Sequence, residues 1–417
     1  MNQKVLPTAQ PALARYPLWA GRAGVLLAIA VSALNLRSAV TSLSPLLHVI
    51  GSQFGFGAAT IGVIGTLPPA CFALFGALTP LLVRRAGLEP TAAIAMGVTT
   101  VGVILRAFVP GTAGLIALSV VALAGMGIAG VAIPPLVREY FSDRLALVSS
   151  VYLIALHLGA LIPPLIAVSL ADAVGWRFAI GAWGAVAATA AVLWIAPLRR
   201  RRAQPGQRAR AESPTEEVFP RQAWRSPAVW NLTVLFGLTS GNVFLLFTWL
   251  PTLIADAGYD ARFGGSMVAV LIGVSMLIGV FAPTLTIRLR NPTPLIEICA
   301  ALYVAGYAGI ALAPRSGMVL WVVLLGAACS LFIIAQTMIN THSRTPTGSA
   351  ITSGFVQGIG GAIAVVGPIL FGALHAWTDS WVAPYSFVAV TLVGIAIAGF
   401  RERHHGTFED DIRSLPK

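Results

Sequence analysis

Long apolar runs separated by short polar stretches organise this chain from end to end. Twelve can be traced, at roughly 23–50, 59–82, 91–110, 113–137, 145–170, 177–197, 227–254, 264–287, 293–313, 317–340, 348–374 and 381–400. Most come close to the ~20 residues that a helix needs to cross a bilayer. Lipid offers no partner for backbone N–H and C=O groups, so each crossing segment must satisfy its own. The runs are too long and too evenly apolar for barrel strands. The pattern predicts an all-α integral membrane protein with twelve transmembrane helices.

A polar stretch interrupts the pattern once. Residues 199–226 are rich in Arg, Pro, Glu and Gln and read as a cytoplasmic linker. The chain then divides into an N-terminal six-helix bundle (1–198) and a C-terminal one (227–417). The halves echo each other. "TSLSPLL" (41–47) answers "FTWLPTL" (247–253), and Ser150, Tyr152, Gly159 and Pro164 answer Ser353, Phe355, Ala362 and Pro368. Trp176 and Trp381 open the sixth and twelfth runs. Paired six-helix repeats around a central site are the architecture of the major facilitator superfamily.

Charge adds orientation. The net charge of +12 could suggest a nucleic-acid partner, but its placement argues against one. Of the 27 Lys and Arg, 22 fall in alternate loops: Lys4, Arg15 and Arg22; Arg84 and Arg85; Arg138 and Arg144; Arg199–Arg202, Arg208, Arg210, Arg221 and Arg225; Arg288 and Arg290; Arg344; Arg401, Arg403, Arg413 and Lys417. The other loops hold only Arg177, Arg262 and Arg315. By the positive-inside rule both termini face the cytoplasm, as expected for a multi-pass protein of a bacterial inner membrane. Arg15, Arg22, the run 23–33 and "VSA" at 31–33 could mimic a secretory signal. Cleavage would leave eleven helices and opposite ends, and the charge alternation favours retention. Only 10% of residues are charged, against about a quarter in soluble domains. Cys71, Cys299 and Cys329 sit in apolar runs without CxxC spacing, so neither a disulfide framework nor a zinc site is expected. No cofactor is indicated. Glycines and prolines, as in "GMGIAG" (125–130), "LIPPLI" (161–166) and "GIGGA" (358–362), predict close helix packing and bends.

Candidate chemistry lies at membrane depth. Arg37 is about 22 Å of helix beyond Arg22, too far to snorkel. Burying an unpaired arginine costs at least about 3 kcal/mol on insertion scales. No carboxylate lies near the middle of any run, since Glu139, Asp143, Glu297, Asp172, Asp256, Asp260 and Asp379 all fall near ends. A visiting anion is the natural partner for this planar fork of donors. Arg37, Thr41, Ser44 and His48 share a face if the helix is continuous. His157 lies about twelve residues into the fifth run, with Ser150 on the same face, and suits proton coupling or anion contact. Thr239 and Asn242 lie midway along the seventh run. Gln336 and Asn340 share a face of the tenth, and Ser353 and Gln357 one of the eleventh. Each alone reads as helix-to-helix glue; together with Arg37 they could orient a substrate. Phe244, Phe247 and Trp249 are candidate walls or simple packing. Arg106, nearer the outer end of its run, is expected to snorkel.

These residues resemble a known family. "ALNLRSAVTSLSPLL" (33–47) is similar to the "NLRPAxTSVGPLL" opening of the cyanate and 2-nitroimidazole transporter family of the major facilitator superfamily. The likeness continues through "GTLPPACFALFGALTPLLVRRAGLE" (65–89), "GVAIPPLVREYF" (130–141), "FGLTSGNVFLLFTWLPTLIADAG" (236–258) and "SGFVQGIGGAIAVVGPIL" (353–370). It implies the twelve-helix fold, secondary transport and small anionic or planar nitrogenous substrates. Ser38 stands where that family carries proline, Thr239 where it often has glutamine and Phe244 where it often has tyrosine. The expected function is secondary active or facilitative transport of a small monoanion (cyanate-like, a small carboxylate or a nitro-heterocycle) by alternating access. The alternative is multidrug or antimicrobial efflux. No Walker-type loop is present and no enzyme activity is expected. The expected partners are a small anion, the bilayer and, as a coupling ion, the proton; the expected state is a monomer.

Overall fold

The computed structural model describes residues 22–202, 221–289, 291–343, 346–403 and 411. Lys4, Arg15, Arg208, Arg210, Arg290, Arg344, Arg413, Lys417 and most of the proposed linker lie outside them. Among the described residues there is no strand, and twelve helical spans are long and apolar enough to cross a membrane. They are α1 (Ala23–Phe54), α2 (Ala58–Ala86), α3 (Leu88–Arg106), α4 (Thr112–Tyr140), α5 (Leu147–Val174), α6 (Trp176–Leu198), α7 (Pro227–Asp256), α8 (Ala261–Arg288), α9 (Thr293–Leu312), α10 (Pro314–Ile339), α11 (Thr352–Thr378) and α12 (Val382–Glu402). Each predicted run falls on one of them. An even number of crossings puts the start of α1 and the end of α12 on one side, called here the ends face.

The first span differs from expectation. Its helix stops at Thr41, a 3-10 turn occupies Ser44–Leu46, and a second helix runs from Leu47 to Phe54. Pro45 lies in that turn and lacks the N–H that a continuous helix would use. The stripe read through Arg37, Thr41, Ser44 and His48 is therefore broken after Thr41, and His48 is exposed. Gly55 ends the span in the left-handed region (φ 70°), its N–H bonded to Gly51 O at 2.8 Å.

In the first six helices, α1 packs on α5 and α6, and α4 packs on α2 and α3. In the last six, α7 packs on α11 and α12, and α9 on α10. The repeat read from sequence has a structural counterpart. Trp176 Nε1 donates to Gln53 at the end of α1 (2.6 Å), and Trp381 Nε1 donates to Asp256 at the end of α7 (3.0 Å).

The two sets of six meet along α2–α11 and α5–α8. Their closest approaches lie toward the face opposite the ends. Gly62 is so near α11 that a Cβ would stand 2.9 Å from Pro368 O, and one on Gly265 would stand 2.6 Å from Pro164 O. Ser44 Oγ donates to Phe247 O across the same seam. At the surface there, Arg262 Nη2 and Asp172 Oδ2 pair at 2.9 Å. The apolar core follows this closure. One cluster, including Ile29, Met96 and Trp194, belongs to the first six helices. The other fills the last six and continues across the seam into Leu43, Leu46, Ile50 and Ile61.

Candidate functional site

Arg37 leaves α1 toward α5. The two helices cross so closely that a Cβ on Gly159 would collide with the Leu34 carbonyl, so only glycine permits the approach. That crossing brings the guanidinium within electrostatic reach of Tyr152 and His157. Arg37 is half-buried, and among the described residues it has neither an ion pair nor a hydrogen-bond partner for its guanidinium. Its charge is held inside the protein and remains available.

His157 is also half-buried. Its Nδ1 lies 2.7 Å from Leu153 O; a carbonyl only accepts, so Nδ1 carries the proton and donates. In the neutral ring Nε2 then keeps its lone pair and can take up a proton. Tyr152 is a site member the sequence reading had placed only in the internal repeat. Its signal was a phenol at membrane depth, a residue type whose hydroxyl seeks a partner.

The other candidates are more dispersed. Thr41 is buried and its hydroxyl donates to Arg37 O (3.2 Å), bracing the last helical turn before the break. The Ser44 hydroxyl is committed to Phe247 O at the seam. Thr239 is fully buried on α7, its hydroxyl without a hydrogen-bond partner among the described residues. Asn242 turns into the C-terminal set: its Nδ2 donates to Leu238 O (2.9 Å) and Thr391 Oγ1 (3.1 Å), and its Oδ1 accepts from Tyr307 OH (3.3 Å). Gln336 is half-buried on α10. Gln357 is exposed and its Nε2 donates to Ser353 Oγ (2.7 Å). The Asn340 side chain lies outside the described residues. The structure thus groups Arg37, Tyr152 and His157, and leaves Asn242 as a tie between α7, α9 and α12.

Of the two alternatives for Trp249, packing applies: it is fully buried against Phe371 and Trp381, with Nε1 donating to Pro368 O at 3.1 Å. One reading is corrected. Arg106 does not snorkel. It is 1% exposed, and its Nη1 donates to Ala39 O in α1 at 3.1 Å. The reason is length. At about 1.5 Å per residue, the 19 residues of α3 span about 28 Å, against about 43 Å for the 29 residues of α2. The end of α3 therefore lies below its neighbours' ends, and its last residue points into protein. Phe244 and Phe247 do form a wall, edge-to-face at 6.3 Å, on the seam above Arg106.

Comparison with known proteins agrees with this architecture. The family model described as Major Facilitator Superfamily matches residues 25–364. The chain is 27% identical over 371 residues to "Uncharacterized transporter YycB" of Bacillus subtilis, covering 88% of this chain and 90% of that one. It is 26% identical to the 2-nitroimidazole transporter of Escherichia coli, over 89% and 93% of the two chains. It is 25% identical to the cyanate transport protein CynX of the same organism, over 90% and 96%. Among solved structures, the nucleoside transporter NupG superposes with a TM-score of 0.72 at 12% identity, covering 91% of this chain and 99% of that one. With twelve spans among the described residues and a family model that covers most of its length, the chain belongs to the major facilitator superfamily and is a membrane transporter.

Proposed function

We propose that this transporter carries a small organic or inorganic monoanion by alternating access, with Arg37 as the anchor. One observation supports the reading most: a half-buried guanidinium deep in α1, with no carboxylate partner among the described residues. An arginine cannot shed its charge as a lysine or histidine can, so its partner must bring the negative charge. The name of one relative, a cyanate transport protein, is that of a carrier of a small monoanion.

Tyr152 supplies a hydroxyl beside Arg37. His157 offers the link to protons: once Nε2 is protonated it becomes a donor and adds a second positive charge to the site. Anion and proton would then load together. Thr239, Gln336 and Gln357 contribute from the second bundle when the halves close. Residues 1–198 and 227–417 act as the two rocking bundles. The basic loops place both termini in the cytoplasm of a bacterium, with the protein a monomer in the inner membrane. In that orientation the seam closes the outer face.

The test is uptake of radiolabelled cyanate and small carboxylates into proteoliposomes. Arg37→Ala should abolish saturable uptake while leaving the protein inserted; normal transport by that variant overturns the assignment. The alternative, efflux of neutral or weakly cationic drugs, draws on the apolar wall of Phe244 and Phe247. Inhibition by lipophilic amines but not by small anions would favour it.

A further inference from the structure

Arg106 is the second cation at membrane depth, and the role given to Arg37 does not use it. Its Nη1 is bonded to Ala39 O, but Nε and Nη2 have no protein hydrogen-bond partner among the described residues. Ser119 on α4 is 2% exposed, and its hydroxyl is likewise without a partner. Arg106 and Ser119 line one cavity of about 30 Å³. Three unpartnered polar atoms on two side chains that line the same cavity call for a ligand, since each costs free energy when buried unbonded. A water molecule needs roughly 10–15 Å³ measured this way, so the space suits a ligand of very few atoms.

The chemistry of that ligand follows from its neighbours. The cavity is lined otherwise by apolar side chains, glycine and the hydroxyls of Ser44 and Thr248. Those two hydroxyls already donate, to Phe247 O and to Phe244 O (2.8 Å). No carboxylate lines the cavity, so nothing there neutralises the guanidinium. Water would satisfy hydrogen bonds but leave a buried net charge; an anion answers both. Two N–H donors and one O–H around so small a space fit a compact monoanion, from halide size to a linear triatomic.

We propose that Arg106 and Ser119 form a second anion site, separate from Arg37, for a small inorganic monoanion held at the seam between the bundles. Its lid is the other bundle: Phe244, Phe247 and Thr248 close it from α7. The site lies on the far side of α1 from the central charge. Ala39 and Arg37, two residues apart on one helix, point about 200° apart, so the two cations flank α1 rather than share a pocket.

The experiment uses purified full-length protein and reads the thermal unfolding midpoint against bromide, chloride, thiocyanate and cyanate. Gluconate, too large for the cavity, is the matched-ionic-strength control. Wild type and Arg37→Ala should both show a saturable rise with bromide that gluconate does not give. Made in the Arg37→Ala background, where the central charge no longer contributes, Arg106→Gln should lose it, and Ser119→Ala should weaken half-saturation by about tenfold, the loss of one hydrogen bond to a charge. Should Arg106→Gln fail to fold, Ser119→Ala and Arg106→Lys carry the test, the lysine keeping the charge but losing the fork. Anomalous scattering from crystals grown with bromide should place the ion within hydrogen-bond distance of Arg106. Equal salt responses in every variant and with gluconate, or bromide bound only at Arg37, overturn the site. Failure of anion uptake by wild type with the Arg106-dependent shift intact would sink the proposed function and leave this site standing.

Discussion

The two six-helix sets treat polarity at membrane depth in opposite ways. In the first set, Arg37 and Arg106 sit inside the protein with no carboxylate beside either among the described residues. In the second, no cation lies at such depth among the described residues, and several polar side chains bond from one helix to another. Asn242, Tyr307 and Thr391 bond across three helices, Trp249 bonds Pro368 O, and Tyr303 reaches Cys329 at 3.6 Å. The helices follow the same division. α1 is broken beside its arginine, while α7 runs unbroken through 30 residues despite Pro251. One half holds buried or half-buried cations with no carboxylate beside them among the described residues. The other is a scaffold whose aromatic face closes over it.

That contrast can be broken by moving the charge. Arg37→Ala has the largest expected effect, a loss of at least about 100-fold in anion uptake per inserted molecule, in line with losing a charge-assisted contact of about 3 kcal/mol. Arg37→Lys should recover part of it, because the charge returns without the fork. His157→Gln should leave anion binding measurable but flatten the dependence of uptake on an imposed proton gradient; an unchanged dependence would assign coupling elsewhere. Gly159→Val tests what positions the arginine. Its side chain must push the Leu34 backbone away, and such overpacking costs about 1–3 kcal/mol. A lower unfolding midpoint together with a raised KM is expected.

The contrast is sharpened in the second half by Asn242→Ala. Interhelical bonds in membranes average about 0.6 kcal/mol, so a small loss of stability with KM unchanged is expected. A large change in KM would return Asn242 to the substrate site. The smallest effect concerns His342, just beyond α10, which pairs with Glu402. Burial pulls its imidazole down, but the Glu402 hydrogen bond and charge outweigh burial and hold it above its ordinary value of about 6.5. The pair's contribution is therefore fully present below that ordinary value and is lost as pH rises through the raised one. His342→Gln should remove that part of the stability loss between neutral and alkaline pH, measured as the unfolding midpoint.

The fold was legible because its cause is local. A run of ~20 apolar residues in lipid has one way to satisfy its backbone, and all twelve runs lie on helices. The site was legible in part. Arg37 stood out because both distances to a membrane surface exceed a side chain's reach. Tyr152 and Arg106 were harder, for reasons beyond any one helix. Tyr152 matters only through the α1–α5 crossing that Gly159 allows. Arg106 looked terminal because residues were counted along α3 alone, and that helix is shorter than those around it. The Ser44 face was misplaced because a 3.6-residue period assumes an unbroken helix, and Pro45 ends that assumption.

The pairing of Asp172 with Arg262 has a consequence for the working cycle. Both side chains are more than half exposed, so water and salt screen the attraction, and such pairs are worth about 0–1 kcal/mol. Under the proposed alternating access, every turnover undoes it and remakes it. A clasp this weak shifts the resting populations by less than about tenfold, enough to favour closure between loads yet too little to stall the next opening. Ionic strength becomes a dial on where the protein waits.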